Sequence, residues 1–441
     1  MDPEAIRRFA FTPTTGGAGL AIERAEGCWL VAAGGHRILD AAGGAIVGNI
    51  GHGRAEVGEA MARASARIAY VVPPFATEER VRLSERLRER WLPEGLTRVL
   101  FTSGGSESTD AAIRIARQHF VAKGETTRWK VVGRELSYHG ITLATLAVGG
   151  HTRRRKGFDP LLLDFPHAPA CYPLRCALCR GRCELQCADA LEAAILREGP
   201  ETVAAFIAEP VGGSTAGALV PPDGYWPRVA EICARYGVLL IADEVMTGFG
   251  RTGRRFGVDH WGVVPDLLVG GKGLAGGYAP MGAVCAKESV LAPIAAAGDD
   301  VMFYTFGGHP ASCAASLAVL DILEREKLVA RAAAMGALLR ERLARLEKHP
   351  HVAEVRGLGL LQAVELVRDR DRREPFPAEA RVTARVVASG IKNGVFFYPG
   401  GCDPARDAIC LGPPFVIEPA EIDLLVDVLE RSIDEVTRAL A

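Results

Sequence analysis

Val238-Leu239-Leu240-Ile241-Ala242 runs straight into Asp243-Glu244, and Pro265-Asp266-Leu267-Leu268-Val269-Gly270-Gly271 runs into Lys272. Between them lies the glycine-rich loop Gly248-Phe249-Gly250-Arg251-Thr252-Gly253. Short continuous apolar runs bounded by glycine and proline fit parallel strands covered on both faces. In open parallel sheets, ligands sit beyond the carboxyl ends of the strands, so Asp243 and Lys272 are expected in one crevice. An amine able to form a Schiff base, close to a carboxylate able to hold a protonated ring nitrogen, is the pairing that pyridoxal phosphate requires.

Working outward, the sequence predicts other elements of the same crevice. Val203-Ala204-Ala205-Phe206-Ile207-Ala208 reads as a further buried strand, ending at Glu209. Phe101-Thr102-Ser103-Gly104-Gly105-Ser106-Glu107-Ser108-Thr109-Asp110 opens a helix over 111–120. Small and hydroxyl residues there cap free N–H groups and let an anion approach the positive end of the helix. The dipole alone gives a phosphate roughly 0.3–1 kcal/mol. Residues 20–50 alternate short apolar segments with glycine turns, as in a small antiparallel element. Further helices are expected over 54–68, 77–90, 311–325, 326–348 and 378–392, and from Pro419 onward.

Composition narrows the function classes. The chain has 441 residues, 49% of them hydrophobic, which suffices for a large domain and a smaller one. A net charge of −1, with no long block of one sign, argues against a nucleic-acid partner. No apolar stretch approaches the ~18 residues of a membrane span. Met1 to Arg8 lacks the apolar core of a signal peptide. Eleven cysteines, an odd number in a large protein, fit a reducing cytoplasm better than a disulfide scaffold.

Five of those cysteines fall in residues 171–187. Cys176, Cys179, Cys183 and Cys187 follow the spacing C-x2-C-x3-C-x3-C, with Cys171 upstream as an alternative ligand. Thiolates at such density suit a metal site. A compact single run favours a [4Fe–4S] cluster over zinc, with free thiols or one local disulfide as the simpler alternative.

The segment 241–253, continued from Pro265 to Gly282, closely resembles the signature of class III pyridoxal-phosphate-dependent aminotransferases. The resemblance covers nearly the whole chain and is weakest before residue 20 and in the cysteine-rich insert. It implies the α/β fold type I, a mostly parallel sheet flanked by helices with a smaller α+β domain built from both chain ends. The implied boundaries are 61–320 for the large domain, including the insert 171–187, and 1–60 with 321–441 for the small one.

The resemblance also implies roles. Lys272 takes the place of the Schiff-base lysine, and Asp243 that of the ring-nitrogen partner. Gly105 and Ser106 match the phosphate-binding turn, although Ser108-Thr109-Asp110 stand where many relatives have Ala-Asn-Glu. Tyr138, followed by His139, matches the aromatic that stacks on the ring, and Glu209 matches a glutamate beside it. Thr305 matches a threonine that reaches the neighbouring subunit's phosphate, implying a homodimer with shared active sites. Arg406 corresponds, in a loose local alignment, to an arginine that receives substrate carboxylates.

The implied activity is ping-pong transfer of an amino group from an amine or ω-amino acid to a 2-oxo acid, pyruvate or 2-oxoglutarate. Aminomutases, racemases and decarboxylases share the same core residues and form the alternative. A thiol-metal sensor on a non-catalytic scaffold is the more distant one.

Overall fold

The computed structural model describes residues 20–176, 178–179 and 183–440. Residues 1–19, and positions 177 and 180–182 of the insert, belong to the expectations above but lie outside the described residues.

The chain opens with the antiparallel meander β1 (Ile22–Glu26), β2 (Trp29–Ala32) and β3 (Arg37–Asp40). Its second turn uses Gly34 and Gly35 at φ 85° and 83°, a conformation that side chains with a Cβ rarely adopt. Helices Ala55–Arg67 and Glu78–Arg86 follow. The second passes into a π-helical turn, Leu87–Trp91, which buries Leu87 and Trp91 where the sequence pattern predicts a plain helix to residue 90.

The central sheet contains β4 (Leu96–Thr102), β5 (Lys130–Arg134), β6 (His167–Ala168), β7 (Val203–Ala208), β8 (Leu239–Asp243), β9 (Leu267–Gly270) and β10 (Gly282–Lys287). Their order is β4-β10-β9-β8-β7-β5-β6. Strands β9 through β6 are parallel, and β10 runs antiparallel to both its neighbours. Every residue of β7, β8 and β9 is buried, because helices cover both faces. On one face, Ala111, Ala112, Ile115 and Ala116 of helix Gly105–Ala122 pack against the strands. On the other, helices Gln186–Glu198 and Tyr225–Tyr236 contribute Leu191, Ile195, Trp226 and Val229. Each fully buried aliphatic side chain contributes about 1.5–3 kcal/mol.

Register places the strand ends. Ala208 lies opposite Ala242, and Asp243 opposite Val269. Glu209, Asp243 and Lys272 therefore emerge along one edge. Thr102 lies opposite Gly282, and Gly270 opposite Ala283, so the turn from β4 into helix Gly105–Ala122 emerges there too. That helix starts at Gly105, ahead of the expected Ala111, with Ser108 and Thr109 buried in its early turns.

The C-terminal region adds β11 (Val352–Leu358), β12 (Leu361–Leu366), β13 (Val395–Phe396), β14 (Tyr398–Cys402) and β15 (Ala405–Leu411). Four of these form the antiparallel sheet β11-β12-β15-β14, while β13 pairs in parallel with β3 and joins the two ends of the chain. The charged segment 326–348 resolves into helix Leu328–Leu343 and a 3-10 turn to Lys348. Helix Pro419–Arg438 closes the chain.

Arg251, within the glycine-rich loop, ties these parts together. It is 2% exposed, and its guanidinium donates to the carbonyls of Gly48 (2.6 Å), Leu360 (3.2 Å) and Pro413 (2.7 Å). Arg251→Met keeps the apolar stem but leaves three acceptors without their donor. At about 1–3 kcal/mol per orphaned buried group, the substitution is expected to lower stability by about 3 kcal/mol or more. Thermal melting checks this, and an unshifted transition contradicts the role.

Candidate active site

Asp243 is the last residue of β8 and 3% exposed. One carboxylate oxygen accepts the Val245 N–H at 3.0 Å, and the other lies 2.7 Å from His139 Nδ1. With the carboxylate as acceptor, Nδ1 carries the proton, which leaves Nε2 as the free ring nitrogen. That Nε2 is buried without a hydrogen-bond partner.

Lys272 stands two residues beyond β9, at the start of a 3-10 turn, with φ at 34°. The residue is half-buried: a narrow pocket reaches its amine, but protein surrounds it. Desolvation lowers its pKa from the usual lysine range, opposed by Asp243 and Glu209, with Arg154 acting in the lowering direction. Charges act on this amine only through space; no hydrogen bond contributes.

Glu209 follows β7 and is buried. Its carboxylate accepts the Gly213 N–H at 2.9 Å and the Tyr138 N–H at 3.3 Å. Burial, opposed by His139 and Arg134, raises its pKa. Arg134 binds the Glu209 backbone carbonyl (3.0 Å) rather than the side chain. Glu209 thus sets the backbone that presents Tyr138.

The helix start completes the pocket. A Cβ on Gly105 would come within 2.9 Å of Val245, and one on Gly140 within 2.6 Å of Ser106 Oγ, so backbone approaches the cavity more closely than side chains permit. Ser106 Oγ accepts the Ile141 N–H at 3.2 Å, joining the helix start to the Tyr138-His139-Gly140 turn.

Of the residues singled out in the sequence, Gly105, Ser106, Tyr138, His139, Glu209, Asp243 and Lys272 line one cavity of about 220 Å³. Val245 and Met246 line it as well; their apolar side chains carry no chemical signal that sequence reading could have used. The arrangement fits pyridoxal phosphate. It offers a helix N-terminus for phosphate, an aromatic side chain, a carboxylate for the ring nitrogen, an enclosed amine and an orphaned imidazole nitrogen.

Thr305, expected to reach the neighbouring subunit's phosphate, and Arg406, expected at the substrate, do not line this cavity. Thr305 is exposed. Arg406 lines a separate cavity of about 570 Å³, where Asp403 Oδ1 binds its Nη2 at 2.7 Å and the Phe376 carbonyl binds Nη1 at 3.0 Å.

The four-thiol metal site expected from spacing finds no support among the described residues, where Cys179 lies within hydrogen-bonding reach of Cys176 and Cys183 while Cys187 turns to Cys171. Among the described residues, no group of three or more His, Cys, Asp or Glu side chains is placed to hold an ion. Cys187 lies in the first turn of helix Gln186–Glu198, whose apolar face packs on the sheet. This packing draws its thiol into the core, 3.3 Å from Cys171 Sγ, while Cys183 stays exposed. Cys176 Sγ accepts the Cys179 N–H at 3.4 Å.

The environment of Lys272 generates a pH prediction. Desolvation holds the amine's pKa below the ordinary range, while Asp243 pulls it upward. In Asp243→Asn that upward pull is gone, so the pKa falls further and the free amine persists to lower pH. Reductive labelling of Lys272 in cofactor-free protein, followed by mass spectrometry across pH, should show its midpoint moving to more acid values in the variant. An alkaline shift, or none, contradicts the coupling.

The family described as aminotransferase class-III matches residues 12–433. The putrescine–pyruvate aminotransferase of Pseudomonas aeruginosa is 35% identical over 424 residues, covering 95% of this chain and 91% of that protein. A thermostable (S)-enantioselective omega-transaminase from Thermomicrobium roseum superposes with a TM-score of 0.92 at 40% identity, covering 98% of this chain and 97% of that one. The omega transaminase of Pseudomonas jessenii, solved in complex with PMP, gives a TM-score of 0.93 at 33% identity, covering 99% and 98%. With its strand-end carboxylate and enclosed lysine on this sheet, the chain belongs to the class-III aminotransferase family, pyridoxal-phosphate enzymes of fold type I.

Proposed function

We propose that the 220 Å³ cavity binds pyridoxal phosphate and that the protein moves an amino group from an amine or ω-amino acid to a 2-oxo acid, in two half-reactions that share the site. The observation that carries this reading is the Lys272 amine, enclosed without a hydrogen bond in the same cavity as the Asp243–His139 pair. Bound there, the cofactor supplies a ring that accepts electrons from the substrate's Cα–H bond. Lys272 holds the cofactor and, once released, takes the Cα proton and returns it. Asp243, held by His139 and Val245, faces the ring nitrogen with a fixed negative charge. Tyr138 covers the ring, and the turn at Gly105 and Ser106 receives the phosphate.

Pyruvate is the first acceptor to try, because the Pseudomonas aeruginosa relative is named for it. Incubation with an amine and pyruvate should yield alanine. A racemised, rearranged or decarboxylated donor without alanine would favour the alternative chemistries of the class. Lys272→Ala is expected to abolish turnover and the covalent cofactor adduct recovered after borohydride reduction. Asp243→Asn should retain cofactor but slow turnover on the order of 10²-fold; full activity in either variant contradicts its role.

A homodimer belongs to this reading. Phe75, Met302 and Phe306 are 60–65% exposed, and Tyr70 meets Phe306 edge-on at 6.1 Å. Such apolar exposure suits a covered interface, and a second copy would give exposed Thr305 a phosphate to reach. Phe306→Glu should shift the mass measured by light scattering from dimer to monomer and reduce activity in parallel. A fully active monomer contradicts shared sites. The cytoplasm is the compartment assigned, supported by eleven cysteines that are all unpaired in the structure.

A further inference from the structure

The cysteines of residues 171–187 divide into two groups. Cys176, Cys179 and Cys183 lie together, with Cys179 within hydrogen-bonding reach of the other two and Cys183 exposed. Cys171 and Cys187 form a separate pair, 4% and 1% exposed, their sulfur atoms 3.3 Å apart. A disulfide bond is about 2.05 Å long, so roughly 1 Å of side-chain movement separates this contact from a covalent link.

Packing on both sides holds the two sulfurs together. Cys187 lies in the first turn of helix Gln186–Glu198, and the apolar cluster of Leu191, Phe206, Tyr225 and Trp226 encloses it with Cys171. A close-packed core leaves such a pair little room to separate. On the Cys171 side, the Tyr172 hydroxyl and the Arg175 guanidinium both donate to the Glu365 carboxylate, Arg175 Nη2 at 2.7 Å. Glu365 is buried on β12. Arg356 of β11 donates to the same carboxylate at 2.7 Å and also to the carbonyls of Ala216 and Gly217. The thiol pair therefore lies beside a polar junction between the insert, the C-terminal sheet and the loop that follows Glu209.

We propose that Cys171 and Cys187 are a reversible disulfide-forming site, oxidised by a small peroxide, that staples the start of the insert to the helix at its end. Cys187 is the first sulfur oxidised, because the positive end of its helix favours thiolate character. One peroxide oxygen passes to the Cys187 sulfur as a sulfenic acid, and the other leaves as water. The Cys171 sulfur then attacks, the S–S bond forms, and the second oxygen leaves as water. Two thiols lose two protons and two electrons, and the peroxide is reduced to two waters. Small thiols reverse the step, returning both electrons and leaving as their own disulfide. Such a bond is transient in a reducing compartment. It stabilises the fold by restricting the unfolded chain between its two ends.

The test uses the full chain as purified. After brief treatment with hydrogen peroxide, alkylation and mass spectrometry should find Cys171 joined to Cys187, and dithiothreitol should restore both thiols. Predominant pairing among Cys176, Cys179 and Cys183, or free Cys171 and Cys187 after treatment, overturns the assignment. So does iron or zinc that copurifies and shields Cys171 and Cys187 from alkylation. Melting supplies a second readout. Oxidised wild type should melt about 3 °C or more above the reduced protein. Cys176→Ala should keep that rise and Cys171→Ala should lose it. No rise in wild type, or an equal rise in Cys171→Ala, overturns the staple.

Discussion

Excluding water from one lysine amine, without bonding a carboxylate to it, is the constraint that organises this molecule. Desolvation disfavours an unpaired ammonium, and here it lowers the pKa of the amine so that it loses its proton more easily. Asp243 and Glu209 limit the loss through space. Two acids near the amine, each bound to other groups, stabilise its charge without locking its position. Asp243 is held by His139 and Val245, and Glu209 by the backbone of Tyr138 and Gly213. A direct salt bridge would hold Lys272 away from any carbonyl group; this arrangement leaves it free to react.

The neighbouring acids Asp243 and Glu244 show how the sheet divides labour. Successive strand residues point to opposite faces, so side by side in sequence they serve different surroundings. Asp243 opens onto the Lys272 cavity. Glu244 turns into the core, where it accepts the Gly257 and Val258 N–H groups at 2.8 Å and the Thr247 hydroxyl. Burial raises its pKa to about 7 despite these donors. Glu244 thereby braces the segment after the glycine-rich loop, and Arg251 braces the loop itself from the far side. The acid-rich strand end is one structural brace and one group facing the Lys272 cavity.

That Lys272, Asp243 and Glu209 share one cavity was legible because charges that interrupt apolar strands are rare and their register is fixed by parallel pairing. Lys272, Asp243 and Glu209 announce themselves this way. Gly105, Ser106 and Tyr138 carry weaker signals and came forward through family resemblance. What stayed hidden has a common physical form. The carboxylate of Glu209 binds backbone N–H groups, which every residue offers and no side-chain pattern marks. The cysteine spacing describes separation along a loop, but the packing of helix Gln186–Glu198 decides that Cys187 meets Cys171. Arg406 came forward through a loose family alignment, and the sequence does not reveal that it pairs with Asp403 rather than with the adjacent Asp407.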